Sequence, residues 1–140
     1  IFATIQSVQN QTYSNWELLI IDDCSTDKTI EIISNQIKLD SRIKLISLTE
    51  NKGTGIARNT GVSNSKGSYI SFLDSDDLWK PNKLEKQLSF MKENHLPFTF
   101  SFYECIDEEG INLKIRKEAN IIKYILLVYL FYYGLYHIDK

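Results

Sequence analysis

The sequence predicts an α/β fold in which a mostly parallel sheet is covered by helices on both faces. Helical and strand-like patterns alternate along the 140 residues, and no repeat or linker divides them. Two apolar runs end in carboxylates, at Asp22 and at Asp74. Buried strands of open α/β sheets deliver polar groups to one edge in this way. The length suits one domain with a real core.

The first half of the chain alternates helix, strand, helix and strand. Apolar residues at helical spacing up to Val8 predict the end of a helix, and residues 16–21 predict a short buried strand. Residues 25–27 have side chains that can cap the N-terminus of a second helix. Residues 43–48 alternate apolar and polar side chains and predict another strand. The second helix places three isoleucines on one face: Ile30, Ile33 and Ile37.

The second half continues this alternation. Residues 54–65 predict a helix, although Gly55 and Gly61 weaken it. The apolar run 69–73 predicts a buried strand, and Pro81 suits the first turn of the next helix. Residues 98–106 predict a further strand, followed by a hairpin turn at 107–110. The buried stripe expected on the helix after Pro81 is Leu84, Leu88 and Met91.

Composition excludes some classes of function. The formal net charge of −2 gives no electrostatic footprint for nucleic acid, so no nucleic-acid partner is expected. Cys24 and Cys105 have neither metal-ligand nor redox spacing. They are expected to be small buried side chains in a reducing compartment, which favours a cytoplasmic location.

Three carboxylates fall within four positions at Asp74, Asp76 and Asp77. A turn at Ser75 would bring them together, and a hard divalent cation such as Mg²⁺ or Mn²⁺ would relieve their repulsion. In the simpler interpretation the acids only precede a helix, and Asp77 caps it.

Two further groups are expected at the same sheet edge. Asp22 and Asp23 end one strand, and residues 51–59, which include Arg58, follow another. Carboxylates, a helix N-terminus and an arginine suit a nucleotide diphosphate, although the turn containing Gly53 and Gly55 is equally explained as plain loop geometry. The sequence lacks the glycine motifs of P-loop ATPases and dehydrogenases.

Three ordered motifs carry a resemblance to a known family: residues 11–27, 51–59 and 67–77. They resemble family 2 glycosyltransferases of the Rossmann-like GT-A fold, over roughly residues 1–112. The subgroup most similar builds bacterial cell-surface polysaccharides, of the teichuronic acid or lipopolysaccharide type. The resemblance implies a nucleotide-diphosphate sugar donor, expected to be a UDP-sugar, and a polysaccharide or lipid-linked acceptor. It also implies inversion at the anomeric carbon and allows peripheral association with the inner face of the membrane.

The resemblance also implies roles for individual residues. Asp23, with Asp22 beside it, would bind the uracil-type base, and Arg58 would lie near the base or diphosphate. Asp74 would lie near the ribose or reach the metal through water, while Asp76 would be the direct Mn²⁺ or Mg²⁺ ligand. The metal would stabilise the leaving nucleoside diphosphate. Asp27 belongs to the same motif, but we expect it to act as a helix N-terminal acid.

The chain departs from the family pattern in three places. The first, central strand and the catalytic base are both expected to be missing, since residues 107–109 suit a hairpin turn better than a base. The chain would then be a remnant that binds nucleotide and metal without transfer, or a membrane-associated remnant that binds no ligand.

We divide it into a partial nucleotide-sugar-binding domain, residues 1–117, and an aromatic tail, residues 118–140. The tail lacks periodicity, is too short in its apolar run to span a bilayer, and suits a buried helix, an interfacial anchor or a frame-shifted end.

Overall fold

The computed structural model describes residues 1–107 and 110–117, in two compact units. The first unit is Ile1–Asn94, and the second begins at His95. The first contains α1 (Phe2–Gln9), β1 (Leu18–Asp22), α2 (Thr29–Leu39), β2 (Ile43–Ser47), α3 (Gly53–Asn64) and α4 (Lys83–Glu93). The second contains β3 (Tyr103–Ile106) and β4 (Asn112–Lys117).

A parallel pair of strands forms the centre of the first unit. β1 and β2 run in register from Leu18 opposite Ile43 to Asp22 opposite Ser47. Parallel strands need a long connection, and α2 provides it. The predicted order of elements is confirmed from α1 to α3, with boundaries that differ by one or two residues.

Three isoleucines from three elements form the buried core. Ile5 of α1, Ile33 of α2 and Ile43 of β2 are each at most 1% exposed, and they contact one another. The face predicted for α2 is therefore confirmed at its central residue. Partly buried apolar side chains surround the core, including Trp16, Leu18 and Ile37.

The beginning of α2 confirms the structural role expected for Asp27. The backbone N–H of Thr29 donates to Asp27 Oδ1 over 2.9 Å. Hydrogen bonds from Thr29 hold the pKa of this carboxyl below its usual range. Asp27 thus satisfies one of the donors that the first turn of a helix leaves free.

The strand predicted at residues 69–73 is wrong. These residues lie outside every helix and strand, and Tyr69, Ile70 and Phe72 are each about half exposed. An extended run becomes a strand only when a neighbour pairs with its backbone. In the described part of the chain, β1 pairs with β2 alone, so residues 69–73 belong to no ladder.

The second unit contains an antiparallel hairpin. β3 pairs with β4, and the turn between them is closed by hydrogen bonds between Asp107 and both Gly110 and Ile111. The predicted turn is confirmed, and Gly110 takes the positive φ of 80° that glycine favours. The predicted strand 98–106 begins only at Tyr103. Glu108, Glu109 and the tail 118–140 lie outside the described residues.

No helix in residues 1–107 and 110–117 combines the length and apolar character that crossing a bilayer requires.

Candidate functional site

Asp22 and Asp23 end β1 in different environments. Asp22 is 6% exposed, and both of its carboxylate oxygens lie 3.3 Å from the backbone N–H of Ser25. Between them and Ser25, Cys24 takes a φ of 67°, a left-handed conformation that makes the turn tight. The Cys24 thiol donates to the Leu48 carbonyl over 3.2 Å, which fixes this turn against the end of β2.

Asp23 connects the end of β1 to the beginning of α3. Its Oδ1 accepts from the N–H of Lys52 and its Oδ2 from the N–H of Gly53, each over 2.7 Å. A carboxylate is favoured here because the helix N-terminus carries free N–H groups and a partial positive charge. A carboxylate accepts about four hydrogen bonds, so capacity on both oxygens remains for a ligand.

Arg58 lies one to two turns further along α3 and contacts the acidic stretch, which is defined as residues 65–82. Its Nη2 is 2.8 Å from Asp74 Oδ1, and its guanidinium lies 5.9 Å from the centre of the Phe72 ring. The Arg58 and Asp74 side chains are 43% and 60% exposed. Exposed ion pairs contribute little free energy, so a charged ligand can displace either partner at small cost.

The acidic turn, defined as Asp74, Ser75, Asp76 and Asp77, is closed by a hydrogen bond from the Asp77 N–H to the Asp74 carbonyl over 3.1 Å. The pKa of Asp77 is raised, first by loss of solvation and then by the negative charges of Asp76 and Asp74. The carboxyl of Asp77 therefore lies within electrostatic reach of Asp76 and Asp74.

Asp77 does not cap the following helix, and that alternative is wrong. α4 begins at Lys83, six residues after Asp77, and its flanking Asn82 makes no capping bond. The N–H of Leu84 instead donates to Gln11 Oε1, over 3.0 Å. The cap of α4 therefore comes from a residue just after α1, about seventy residues earlier in the chain.

The acidic turn suits a divalent cation in its donor chemistry. The described residues contain no group of three or more His, Cys, Asp or Glu side chains arranged to hold a metal ion. Mg²⁺ is commonly held by one or two carboxylates together with substrate phosphates, rather than by a cage of protein ligands. Asp74 and Asp76 are two exposed carboxylates of one turn, and Asp74 is paired with Arg58.

Lys83 contacts residues on either side of the acidic turn, and it was not predicted from the sequence. Lys83 Nζ donates to Ser71 Oγ and lies 3.7 Å from the centre of the Trp79 ring. Burial lowers the pKa of Lys83 to about 8, although both contacts favour the charged amine. No motif in the sequence marks this residue, because its environment comes from packing.

Polar side chains in and just after α1 also contact the acidic stretch, and they were not predicted from the sequence. Thr4 and Gln11 are 6% and 7% exposed, and both bind backbone atoms of residues 75–84. No motif in the sequence marks these residues or reveals their partners.

The structure thus connects three of the predicted residues through α3. This helix carries Arg58, binds Asp23 at its beginning, and reaches Asp74 through the ion pair. Asp76 is exposed in the acidic turn. Asp22 is buried, and its carboxylate accepts from the Ser25 N–H. The individual binding roles of these residues remain predictions.

Comparison with known proteins places this arrangement in context. The family model described as "Glycosyl transferase family 2" matches residues 1–138. A Bacillus subtilis protein named as the teichuronic acid biosynthesis glycosyltransferase TuaG is 46% identical over 110 residues, which cover 79% of this chain and 44% of that protein.

Two Escherichia coli proteins show similar identity. One, named UDP-Glc:alpha-D-GlcNAc-diphosphoundecaprenol beta-1,3-glucosyltransferase WfgD, is 46% identical over 79% of this chain and 43% of its own length. WfaP, of the same named activity, is 48% identical over 74% of this chain and 40% of its own length. The chain thus spans less than half the length of these three relatives. The family and the bacterial polysaccharide subgroup predicted from the sequence are confirmed.

Proposed function

We propose, from the premise that this chain belongs to glycosyl transferase family 2, that it provides the donor-binding part of an inverting glycosyltransferase with a GT-A fold. The observation that carries the proposal is the position of α3. This helix holds Asp23 at its N-terminus and extends Arg58 to Asp74, which precedes the acidic turn. One rigid element therefore joins the group proposed for the base to the groups proposed for the diphosphate.

In this proposal each residue performs a chemically distinct task. Asp23, with Asp22 beside it, accepts hydrogen bonds from the base through lone pairs that the N–H groups of α3 do not use. Arg58 exchanges Asp74 for the diphosphate, since a guanidinium binds phosphate oxygens in a bidentate manner. The exchange releases Asp74 to lie near the ribose or to reach a divalent cation.

Asp74 and Asp76 would hold Mn²⁺ or Mg²⁺ through carboxylate oxygens. When bound, the cation supplies positive charge against the negative charge that develops on the leaving nucleoside diphosphate. The acidic turn favours cation binding even in the free protein, because a cation relieves the repulsion that raises the pKa of Asp77.

The donor and acceptor follow from the relatives. Two of them are named for transfer from UDP-Glc to a lipid-linked sugar, and a third for teichuronic acid biosynthesis. We propose a UDP-sugar donor and a polysaccharide or lipid-linked glycan acceptor, with inversion at the anomeric carbon. The reaction would take place in the cytoplasm, with peripheral association at the inner face of the membrane.

The second candidate function is binding of the nucleotide and metal without transfer. Transfer requires a carboxylate that deprotonates the acceptor hydroxyl. Among the described residues, Glu104 and Asp107 are the carboxylates that follow α4. The Asp107 side chain accepts from the N–H of Ile111 inside a hairpin turn, and Glu104 Oε2 accepts from Asn112 Nδ2. These bonds favour structural roles for both carboxylates.

Calorimetric titration of UDP into the chain, with and without Mn²⁺, tests the proposed function. We expect binding that requires the metal and that weakens at least about tenfold in Asp76→Asn, since one charge-assisted metal contact is lost. Glu31→Gln removes an exposed carboxylate from α2 and serves as the matched control.

Binding of equal strength without metal, or no binding by the folded chain, would contradict the proposal. Incubation with a UDP-sugar and a lipid-linked acceptor then separates the two candidate functions. A glycosylated product supports transfer, whereas binding without product supports the second candidate.

A further inference from the structure

We infer that three polar side chains, Thr4 and Ser7 of α1 and Gln11 just after it, position the acidic turn for donor binding. This inference rests on the proposed function, because the turn matters only if its carboxylates bind metal or donor. Thr4 and Ser7 share one side of the helix, and Gln11 lies two residues beyond the end of α1 at Gln9. None of them carries a charge or follows a strand, so their role appears only in the structure.

Thr4 holds the acidic turn itself. Its Oγ1 donates to the Ser75 carbonyl over 2.7 Å, and the residue is 6% exposed. Because the peptide bond between Ser75 and Asp76 is planar, fixing this carbonyl also fixes the N–H and the Cα position of Asp76. Thr4 therefore determines where the proposed metal ligand projects, without contacting the metal.

Gln11 holds the chain that leaves the turn. Its Nε2 donates to the Lys80 carbonyl over 2.8 Å, and its Oε1 accepts from the N–H of Leu84 over 3.0 Å. The second contact caps α4. The side chain is 7% exposed. Losing it would leave the Leu84 N–H without this partner, whereas the Lys80 carbonyl would keep the bond that it accepts from the Lys83 N–H.

Ser7 lies between these two anchors and completes the row. Its Oγ accepts from the N–H of Trp79 over 3.2 Å and donates to the Thr4 carbonyl over 2.7 Å. The hydroxyl thus uses its single hydrogen within α1 and one lone pair on the acidic stretch. Together the three side chains bind residues 75, 79, 80 and 84 in chain order.

The apolar face of α1 beside these residues explains why they can act as a rigid support. Ile5 and Val8 are at most 2% exposed, and Ile5 belongs to the isoleucine core. Residues 65–82 contain no helix or strand, so the turn depends on side chains from outside it for a single conformation. Packing in the core thus fixes the position of α1, and the polar side chains in and just after α1 fix the position of the turn.

Thr4→Val tests the inference, because valine keeps the shape of threonine and removes the hydroxyl. Thr4→Ser keeps the hydroxyl and is the rescue variant. Thr60→Val is the matched control, since the Thr60 hydroxyl donates to the Ile56 carbonyl within α3 and holds no loop. Each full chain is examined by hydrogen exchange over residues 74–84, by thermal unfolding, and by titration of UDP with Mn²⁺.

We expect Thr4→Val to speed exchange at Asp76 and Asp77 and to weaken UDP binding about fivefold, the equivalent of about one hydrogen bond. Thr4→Ser should restore both quantities, and Thr60→Val should change neither. A purely structural role would lower the unfolding temperature of Thr4→Val and leave the affinity of the folded chain unchanged, which would overturn the inference.

The same measurements separate this inference from the proposed function. Wild-type binding of UDP and Mn²⁺, with unchanged exchange and affinity in Thr4→Val, overturns the inference alone. Wild-type chain that binds neither UDP nor Mn²⁺ overturns the proposed function and the role of α1 in donor binding, even if exchange in the turn increases.

Discussion

The parallel strand pair and the acidic stretch of residues 65–82 are stabilised in opposite ways. β1 and β2 are held by a regular backbone ladder over a core of Ile5, Ile33 and Ile43. The acidic stretch has no ladder, and its apolar side chains Tyr69 and Phe72 are about half exposed. Its backbone is held by the individual side chains of Thr4, Ser7 and Gln11.

This difference shows how a functional loop can be ordered without secondary structure. A ladder stabilises many residues through groups that every residue carries, so it tolerates changes of side chain. Side-chain anchors stabilise a few backbone positions, and each anchor depends on one residue type. We therefore expect core substitutions to change global stability and anchor substitutions to change the acidic stretch.

The largest effect should come from Ile33→Ala, which leaves a cavity in the core. Ile33 is fully buried, and truncating such a side chain costs about 2–4 kcal/mol of unfolding free energy. Denaturant unfolding measures this loss. Leu39→Ala on the same helix removes a side chain that is 79% exposed, and it should change stability by less than about 0.5 kcal/mol. Equal losses in the two variants would show that α2 is not packed as described.

Gln11→Ala should produce a smaller and more local effect. The variant removes the acceptor of the Leu84 N–H and the side-chain bond to the Lys80 carbonyl, which still accepts from the Lys83 N–H, at a cost of about 1–3 kcal/mol. Hydrogen exchange should increase at Leu84 more than in β1 and β2. Gln6→Ala, at an exposed position of α1, is the control and should leave both regions unchanged. Uniform acceleration across both regions would contradict the division between them.

The smallest effect should be a pH dependence that comes from Lys83. Because burial lowers its pKa to about 8 from 10.5, the unfolded chain keeps a proton that the folded chain loses between these values. Unfolding free energy should therefore rise with pH across this window, by at most about 2 kcal/mol after allowance for partial exposure. Urea unfolding at pH 7.5 and 9.5 measures the rise. In Lys83→Met the rise should be smaller, and an identical rise would show that other groups cause it.

Sequence reasoning predicted the ladder region well and the acidic stretch poorly, for a physical reason. Ile33 and Ile43 belong to periodic patterns of apolar residues. Such patterns follow from the local geometry of a helix or a strand, so the spacing in the sequence reveals them. The burial of residues 69–73 depends on a neighbouring strand, and spacing within the run cannot show whether one pairs with it. The family motifs located Asp23, Arg58 and Asp74, but they did not show that α3 joins them or that Arg58 is paired with Asp74.

The hydrogen bonds that Thr4 and Gln11 donate to the acidic stretch also impose an order on folding. Thr4 and Ser75 are 71 positions apart, and Gln11 and Lys80 are 69 apart. Closing so long a loop is entropically costly, so such contacts form after local helices and the nearer β1–β2 pairing. During synthesis, Thr4 and Gln11 remain without these partners until about seventy further residues have left the ribosome. The acidic turn is then among the last parts of the first unit to take shape.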